Sequence, residues 1–183
     1  MHNLNSKTTF IVVLFSLSLL SLSPCYAEQF RSTGTTDVYF SPHGGCTDAI
    51  VKELASARTE ILVQAYSFTS KPIAKALLDA RKRGLKIEVV LDKSQQSKKY
   101  SAADFVAHSG IPTYIDSAHA IAHNKIIIID RSTLITGSFN FTKAAEENNA
   151  ENLLVIKGNK ALVDRYIQNF KDHKGHSEQY EGR

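Results

Sequence analysis

Four consecutive isoleucines, Ile126 to Ile129, place the strongest constraint on how this chain can fold. The run is too short for a helix that is buried on all sides, and successive side chains of a strand point to opposite faces of the sheet. A strand that is apolar on both faces has to be covered on both faces. The run therefore predicts a central strand of a sheet with structure packed against each side.

Polar side chains flank this strand at spacings that suit one shared site. His123 and Lys125 are two residues apart, so they point the same way in an extended chain, and the same holds for Ser138 and Asn140. A turn followed by a return strand over residues 133–136 would bring the second pair beside the first in a hairpin. The sequence thus predicts that an imidazole, an ammonium, a hydroxyl and an amide converge.

These four groups are suited to a phosphate. A neutral imidazole can attack phosphorus or carry a proton near neutral pH, and the other three groups donate hydrogen bonds to charged oxygens. Taken alone, His123 would be interpreted as a buried histidine and Lys125 as a surface charge. The combined pattern favours catalysis, because a strand that continues into four isoleucines has little surface to offer.

The pattern His-x-Lys-x4-Asp-x6-Gly-Ser-x-Asn is matched at every fixed position between His123 and Asn140. It resembles the signature of the phospholipase D superfamily. Within that superfamily, the chain is most similar to the small secreted bacterial endonucleases of the Nuc type, including residues 65–69, 109–112 and 137–146. The resemblance implies an α/β/α sandwich, with a mostly parallel mixed sheet flanked by helices, as a single domain.

The resemblance also implies a metal-independent phosphodiesterase that acts as a non-specific endonuclease on DNA, and on RNA as a further candidate substrate, without a cofactor. Larger members of the superfamily carry two signatures, whereas this chain carries one, which implies a homodimer with a shared active site. His123 would attack phosphorus to form a phosphohistidine, and the partner subunit's His123 would protonate the leaving oxygen and then activate water. Lys125, Ser138 and Asn140 would bind the phosphate oxygens. Such a coupled pair predicts a bell-shaped dependence of rate on pH.

Two acidic residues complete the candidate catalytic set. The resemblance assigns Glu151 to the far nitrogen of His123, where a carboxylate would fix the tautomer of the imidazole. Asp130 belongs to the signature, but it lies five residues after Lys125. This opposite parity favours a role in bracing the turn or the subunit interface over contact with substrate.

No metal site is expected from the sequence. The histidines form no His-x-x-x-His helix with a glutamate, and there are no cysteine pairs at metal-binding spacing. We interpret His43, His173 and His176 as solvated residues, and Tyr39, Phe40, Tyr66 and Phe68 as core residues.

The beginning of the chain has the anatomy of a secretory signal peptide. Residues 1–8 carry a lysine and no acid, residues 10–20 are almost wholly apolar, and residues 25–27 form a small-x-small cleavage site. Two alternatives are an uncleaved anchor, for which the apolar run is short, and a lipoprotein acylated at Cys25, which Pro24 disfavours. Cleavage after Ala27 predicts a periplasmic or secreted bacterial protein whose domain comprises residues 28–183.

The composition is compatible with one globular domain, since 43% of the residues are hydrophobic and 22% are charged. Loss of the leader removes Lys7 and no acid, so the formal net charge falls from +4 to +3. This mild excess permits an anionic partner without demonstrating one. Cys46 would be the only thiol of the mature chain, which excludes an internal disulfide. We predict that it is buried, the alternative being a disulfide with another chain.

The remaining pattern alternates between strands and helices, which favours a largely parallel sheet. The polar stretch 92–100 is interpreted as a solvated loop or, alternatively, as a loop whose lysines contact a phosphate backbone. Residues 171–183 are predicted to be a frayed tail. The other predicted strands are 36–40, 60–68, 85–91, 111–114 and 152–156, and the predicted helices are 47–58, 71–83, 102–108 and 160–170.

Three functions are compatible with these features. The first is the nuclease described above, and the second is hydrolysis of phospholipids by the same motif. The second is disfavoured because residues 28–183 contain no amphipathic membrane helix and no apolar lid, so we expect no stable membrane association. The third is a nucleic-acid-binding module without turnover, which has no need of an intact catalytic signature.

Overall fold

The computed structural model describes residues 27–98 and 101–183, so the signal peptide predicted for residues 1–27 lies almost wholly outside the described residues. Eight strands form one mixed sheet in the order β1-β7-β6-β5-β2-β3-β4-β8. The strands are β1 (Thr35–Ser41), β2 (Glu60–Ala65), β3 (Lys86–Asp92), β4 (Thr113–Asp116), β5 (Lys125–Ile129), β6 (Thr133–Gly137), β7 (Glu151–Lys157) and β8 (Glu178–Tyr180).

Helices cover both faces of this sheet, as the sequence predicts. They are α1 (Cys46–Ser56), α2 (Lys71–Lys82), α3 (Ser94–Ser97), α4 (Ala103–His108), α5 (Lys143–Glu147) and α6 (Lys160–Gly175). None of these helices combines the length and the apolar character that crossing a membrane would require, as far as the described residues go.

The four isoleucines occupy β5, near the middle of the sheet, and divide between two apolar cores. Ile127 and Ile129 pack in the larger core with residues of α1, α2 and α4, whereas Ile126 and Ile128 pack in the smaller core against α6. All four side chains are at most 5% exposed. The prediction of a strand buried on both faces is therefore confirmed.

The prediction of a mostly parallel sheet is wrong. Of the seven pairings among the described strands, two are parallel, β2 with β3 and β3 with β4. The strands β5, β6 and β7 form an antiparallel meander, and β5 also runs antiparallel to β2. The turn 130–132 forces the first of these pairings, because two consecutive strands joined by a tight turn cannot be parallel.

The prediction of a frayed tail is also wrong. The helix α6 continues to Gly175, and β8 then pairs antiparallel with β4 at the edge of the sheet. Tyr180 of β8 is 8% exposed and belongs to the larger core. The pairing could not be predicted from the polar sequence of this segment, because the backbone of β8 forms it while most of the side chains point to solvent.

Cys46 begins α1 and is fully buried, as predicted. Burial, together with the nearby negative charge of Glu146, raises the pKa of its thiol to about 11. The carboxylate of Glu146 accepts hydrogen bonds from the backbone nitrogens of Gly45 and Thr47, at 3.1 and 2.7 Å, and so occupies the start of α1. Thr47, which the sequence pattern suggests as the N-cap, lies inside the helix.

Candidate functional site

The entrance to β5 holds the first two candidate residues in different environments. Lys125 is the first residue of the strand and is 7% exposed, whereas His123 lies two residues earlier in an exposed loop. The Lys125 Nζ atom donates a hydrogen bond to the carbonyl oxygen of His123 at 2.9 Å. The ammonium is thus held beneath the residue whose imidazole is open to incoming molecules.

Tyr66 lies beside both groups. It follows β2 directly, and its backbone nitrogen donates to the carbonyl of Asn124 at 2.8 Å, which ties it to the loop before β5. Its ring centroid is 4.5 Å from that of His123 and 5.2 Å from Lys125 Nζ. Tyr66 is only partly buried, so its interpretation as a pure core residue is wrong. The same prediction is wrong for Phe40, which is 65% exposed, whereas Tyr39 packs against the larger core and Phe68 is fully buried. An aromatic face at this distance stabilises the ammonium without neutralising it.

The hairpin brings the second pair of candidate residues to the same end of the sheet. The pairing of Ile126 with Thr136 sets the register of β5 and β6, and the chain then passes through Gly137 to Ser138. Gly137 has φ 153°, and a Cβ atom there would lie 2.2 Å from the carbonyl oxygen of Asn152. The glycine of the signature is therefore required by the close approach of β7.

Ser138 and Asn140 both have hydrogen-bonding capacity left for a ligand. The hydroxyl oxygen of Ser138 accepts from the backbone and side-chain nitrogens of Asn152, at 3.1 and 3.3 Å. Its own proton is then available for donation. The side-chain oxygen of Asn140 is buried, and no described residue gives it a hydrogen-bond partner. Buried polar atoms are normally paired, so the unpaired oxygen calls for a hydrogen-bond donor, while the Nδ2 of the same amide can donate to an anion.

Two cavities are lined by these residues and their neighbours. One, of about 420 Å³, is lined by His123, Lys125 and Gly137 together with Arg165 and Asn169 of α6. The other cavity includes Lys98 in its lining. Lys98 belongs to the polar stretch 92–100, which the sequence predicts to be a solvated loop or a loop that contacts a phosphate backbone. This second cavity has a volume of about 430 Å³, and its lining includes Tyr66, Ser67, Lys98, Asn140 and Thr142.

Lys98 is turned toward the site and donates a hydrogen bond from Nζ to the hydroxyl of Ser67 at 2.9 Å. The sequence offers one signal for it, its place in a lysine-rich stretch, but the periodicity of that stretch does not indicate which lysine faces inward. Lys98, Tyr66 and Arg165 are therefore the residues that reasoning from the signature misses.

Electrostatics single out Lys125. Burial lowers its pKa, and the negative charge of Glu151 acts in the opposite direction without cancelling the effect. Within the described part of the chain, no carboxylate forms a salt bridge with Lys125. A buried ammonium without a counter-ion is unfavourable until an anion arrives, which is the property expected of a phosphate-binding group.

Glu151 begins β7 but does not make the contact that the resemblance assigns to it. Its carboxylate accepts a hydrogen bond from Asn149 Nδ2 at 3.1 Å, and among the described residues no hydrogen bond joins it to His123. Its charge nevertheless acts on Lys125. A catalytic role for Glu151 therefore stays a prediction. Its basis in the structure is the effect of its charge on Lys125, whereas the resemblance predicts a contact with His123.

Asp130 lies at the opposite end of β5 from His123, apart from the other candidate catalytic residues, and its catalytic role stays a prediction. The carboxylate accepts hydrogen bonds from the backbone nitrogens of Arg58, Thr59 and Glu60 at 2.9, 2.8 and 3.1 Å, and from the Thr59 hydroxyl at 2.8 Å. Burial would raise the pKa of Asp130, but these hydrogen bonds outweigh it and hold the pKa below its ordinary value. Asp130 thus braces the turn, as its parity suggests.

The histidines outside the signature are placed differently from one another. His43 is exposed, as predicted, but the side chain of His173 is only 14% exposed, so its interpretation as solvated is wrong. His173 lies with His119 and His176 around Asp116, in the one group of potential metal ligands that the described residues contain. This group does not include His123 or Glu151.

Comparison with known proteins gives consistent results. The family model described as "Cardiolipin synthase, PLD-like domain" matches residues 50–174. A protein named phospholipase D from Rickettsia prowazekii (strain Madrid E) is 38% identical over 171 residues, which are 93% of this chain and 80% of that protein.

Two solved structures share the fold. The phospholipase D family member Nuc from Salmonella typhimurium is 39% identical, with a TM-score of 0.78, over 81% of this chain and 99% of that one. NucT from Helicobacter pylori is 21% identical, with a TM-score of 0.74, over 80% of this chain and 99% of that one.

The role of Asp130 can be tested by replacing it with asparagine, which tolerates its φ of 50°. We expect Asp130→Asn to lower the free energy of unfolding at pH 7 by about 1–2 kcal/mol, because the charge-assisted hydrogen bonds are weakened. The folded-state pKa is depressed, so the difference between the two proteins is present above the unfolded pKa of about 3.9 and disappears as pH falls through the folded pKa.

Urea unfolding between pH 3 and pH 7 measures this difference. Asp37→Asn, a change at an exposed position of β1, is the matched control and should shift stability by less than about 0.5 kcal/mol. If Asp130→Asn keeps its stability but loses activity, Asp130 has a catalytic role and does not act by bracing the turn.

Proposed function

The chain belongs to the phospholipase D superfamily and is a phosphodiesterase, and from this premise we propose that it is an endonuclease that hydrolyses DNA, with RNA as a second nucleic-acid substrate. The observation that carries the proposal is the buried, unpaired ammonium of Lys125 directly beneath the exposed His123. A phosphodiester that binds there supplies the negative charge that Lys125 lacks in the free protein, and it places its phosphorus next to the imidazole.

The proposed reaction has two steps. A ring nitrogen of His123 attacks phosphorus, so that a phosphorus–nitrogen bond forms and one ester phosphorus–oxygen bond breaks. The leaving oxygen takes a proton from the partner subunit's His123. Water, deprotonated by that same imidazole, then attacks the phosphohistidine, breaks the phosphorus–nitrogen bond and restores both histidines.

Positioning groups surround this reaction centre. In the proposal the Ser138 hydroxyl and the side-chain Nδ2 of Asn140 donate hydrogen bonds to the non-bridging oxygens, and Lys125 balances the charge that grows on them. Lys98, which lines the second cavity, would contact the neighbouring phosphate of the strand. A row of donors that continues beyond one phosphate suits a polymer better than an isolated head group.

Two copies of the chain are needed in this proposal, because each supplies one imidazole. The single signature of the chain supports this requirement. The pair works as one unit in which one imidazole is neutral and the other is charged at the start of the reaction.

Phospholipid hydrolysis is the second candidate, and two observations favour it. The R. prowazekii relative is named phospholipase D, and Ile121, two residues before His123, is 57% exposed. An apolar side chain at the rim of the site could contact acyl chains. The cationic and polar side chains that line the first cavity, Lys125, Arg165 and Asn169, favour the nuclease instead.

The first test uses the purified protein at 25 °C in EDTA, with plasmid DNA in one arm and phosphatidylcholine and cardiolipin vesicles in another. We expect plasmid cleavage, and we expect His123→Ala to lose at least about 1000-fold in rate because the nucleophile is absent. His108→Gln, which changes an exposed histidine of α4, should cleave like the unmodified protein. Head-group release without DNA cleavage would establish the second candidate, and DNA retention without cleavage would mean a binding module.

The second test concerns Glu151, whose charge raises the pKa of Lys125 against the effect of burial. Replacement by glutamine removes that charge, so the pKa of Lys125 falls further. We therefore expect the rate of Glu151→Gln to fall further below that of the unmodified protein as pH rises above about 8, because the Lys125 ammonium is then lost at lower pH, in addition to the imidazolium that the reaction needs.

The control for this test is Glu147→Gln, since Glu147 is exposed and contacts Lys143 at 3.5 Å. Its profile should match that of the unmodified protein. A normal rate and an unshifted profile for Glu151→Gln would remove Glu151 from the mechanism.

A further inference from the structure

Three imidazoles converge on one buried carboxylate at the far edge of the sheet. Asp116 is the last residue of β4, and its side chain is fully buried. It accepts from His119 Nδ1 at 3.1 Å, from His173 Nδ1 at 2.6 Å and from His176 Nε2 at 3.3 Å. One ligand atom from each of the four residues lies within 4.8 Å of every other.

Three separate parts of the chain supply these groups. His119 lies in the loop that leads to His123, and its carbonyl oxygen accepts from Lys93 Nζ at 3.0 Å. His173 belongs to the last turn of α6, and His176 is the C-cap residue that directly follows the helix. The pairing of Ile115 with Glu178 between β4 and β8 then draws the end of α6 toward Asp116.

Hydrogen bonding alone does not account for the composition of this cluster. A carboxylate needs one or two donors to be satisfied, whereas here three imidazole rings crowd together with centroids 4.8, 5.1 and 5.3 Å apart. Imidazoles packed this closely repel one another when they are charged. They are compatible when neutral nitrogens share a cation and the carboxylate balances its charge.

We propose that Asp116, His119, His173 and His176 form a structural site for a divalent transition metal, with Zn²⁺ as the best match. Three imidazole nitrogens and one carboxylate oxygen form a ligand set typical of zinc, and hard cations such as Mg²⁺ and Ca²⁺ prefer oxygen ligands throughout. Tetrahedral zinc, with bonds of about 2.0–2.1 Å, places its ligand atoms about 3.3–3.4 Å apart. The separations of His119 and His176 from Asp116, 3.1 and 3.3 Å, are close to this value, whereas that of His173, 2.6 Å, has to open by about 0.7–0.8 Å, and the wider separations, which extend to 4.8 Å, have to close.

The site would act on stability rather than on chemistry. Four protein ligands complete a tetrahedron and leave no position for water or substrate, which is the arrangement of structural zinc sites. The metal would join β4, the end of α6 and the loop that carries His119 toward His123. The signature residues take no part in this site, so zinc binding and DNA cleavage in EDTA are independent tests.

The experiment uses the full chain purified without a histidine tag, stripped with EDTA, desalted and titrated with Zn²⁺ against a chromogenic zinc indicator. We expect one zinc per chain, confirmed by elemental analysis after a second desalting. The melting temperature should rise by about 5–10 °C when free zinc exceeds the dissociation constant about 100-fold. Co²⁺ in place of zinc should give the intense visible absorption of a tetrahedral complex.

His119→Gln is the informative variant, because the His119 side chain is 45% exposed and its loss should leave the fold intact. We expect at least about a tenfold loss of zinc affinity and of the tetrahedral cobalt spectrum. His43→Asn is the matched control, since it removes an exposed histidine that follows β1, at the opposite edge of the sheet, and it should still bind one zinc. Absence of stoichiometric zinc, or equal affinity in His119→Gln, would overturn the proposal.

Discussion

Burial of β5 on both faces is the constraint on which the rest of the structure depends. Ile127 belongs to the core beneath α1 and α2 and Ile128 to the core beneath α6, and neither is more than 1% exposed. A slip of one residue would exchange the two faces and break the pairing with both neighbouring strands. The register therefore places Lys125 at the buried start of β5, two residues after the exposed His123. The spacing of these two residues in the signature follows from this boundary between exposed loop and buried strand.

The boundary has an electrostatic consequence. Taking an ammonium out of water costs several kcal/mol unless a partner is found, whereas an exposed ion pair contributes about 0–1 kcal/mol. Lys125 receives a carbonyl oxygen, an aromatic face and the more distant charge of Glu151, which together stop short of a full counter-ion. In our proposal the scissile phosphate is the missing counter-ion. The desolvation cost of the Lys125 ammonium is offset only when phosphate binds, which favours binding at the point where His123 can react.

The features that could be predicted from sequence are local in origin. The double-sided burial of the isoleucines and the β5–β6 hairpin follow from side-chain alternation, and both are present. Sheet order is not local: the antiparallel meander and the pairing of β8 with β4 depend on contacts between distant segments. The same reason hid the position of Tyr66 beside His123 and the convergence of His119, His173 and His176, because each group comes from a segment whose own pattern is unremarkable.

The measurement that tests the central claim most directly is the amount and position of the covalent intermediate. The protein would be mixed with bis(p-nitrophenyl) phosphate, the release of nitrophenolate followed at early times, and the reaction stopped in alkali, in which phosphohistidine persists. The account predicts a burst equivalent to one nitrophenolate per two chains and, by mass spectrometry, a phosphoryl adduct on the peptide that contains His123. Steady turnover with an adduct on another residue, or with every chain labelled, would contradict it.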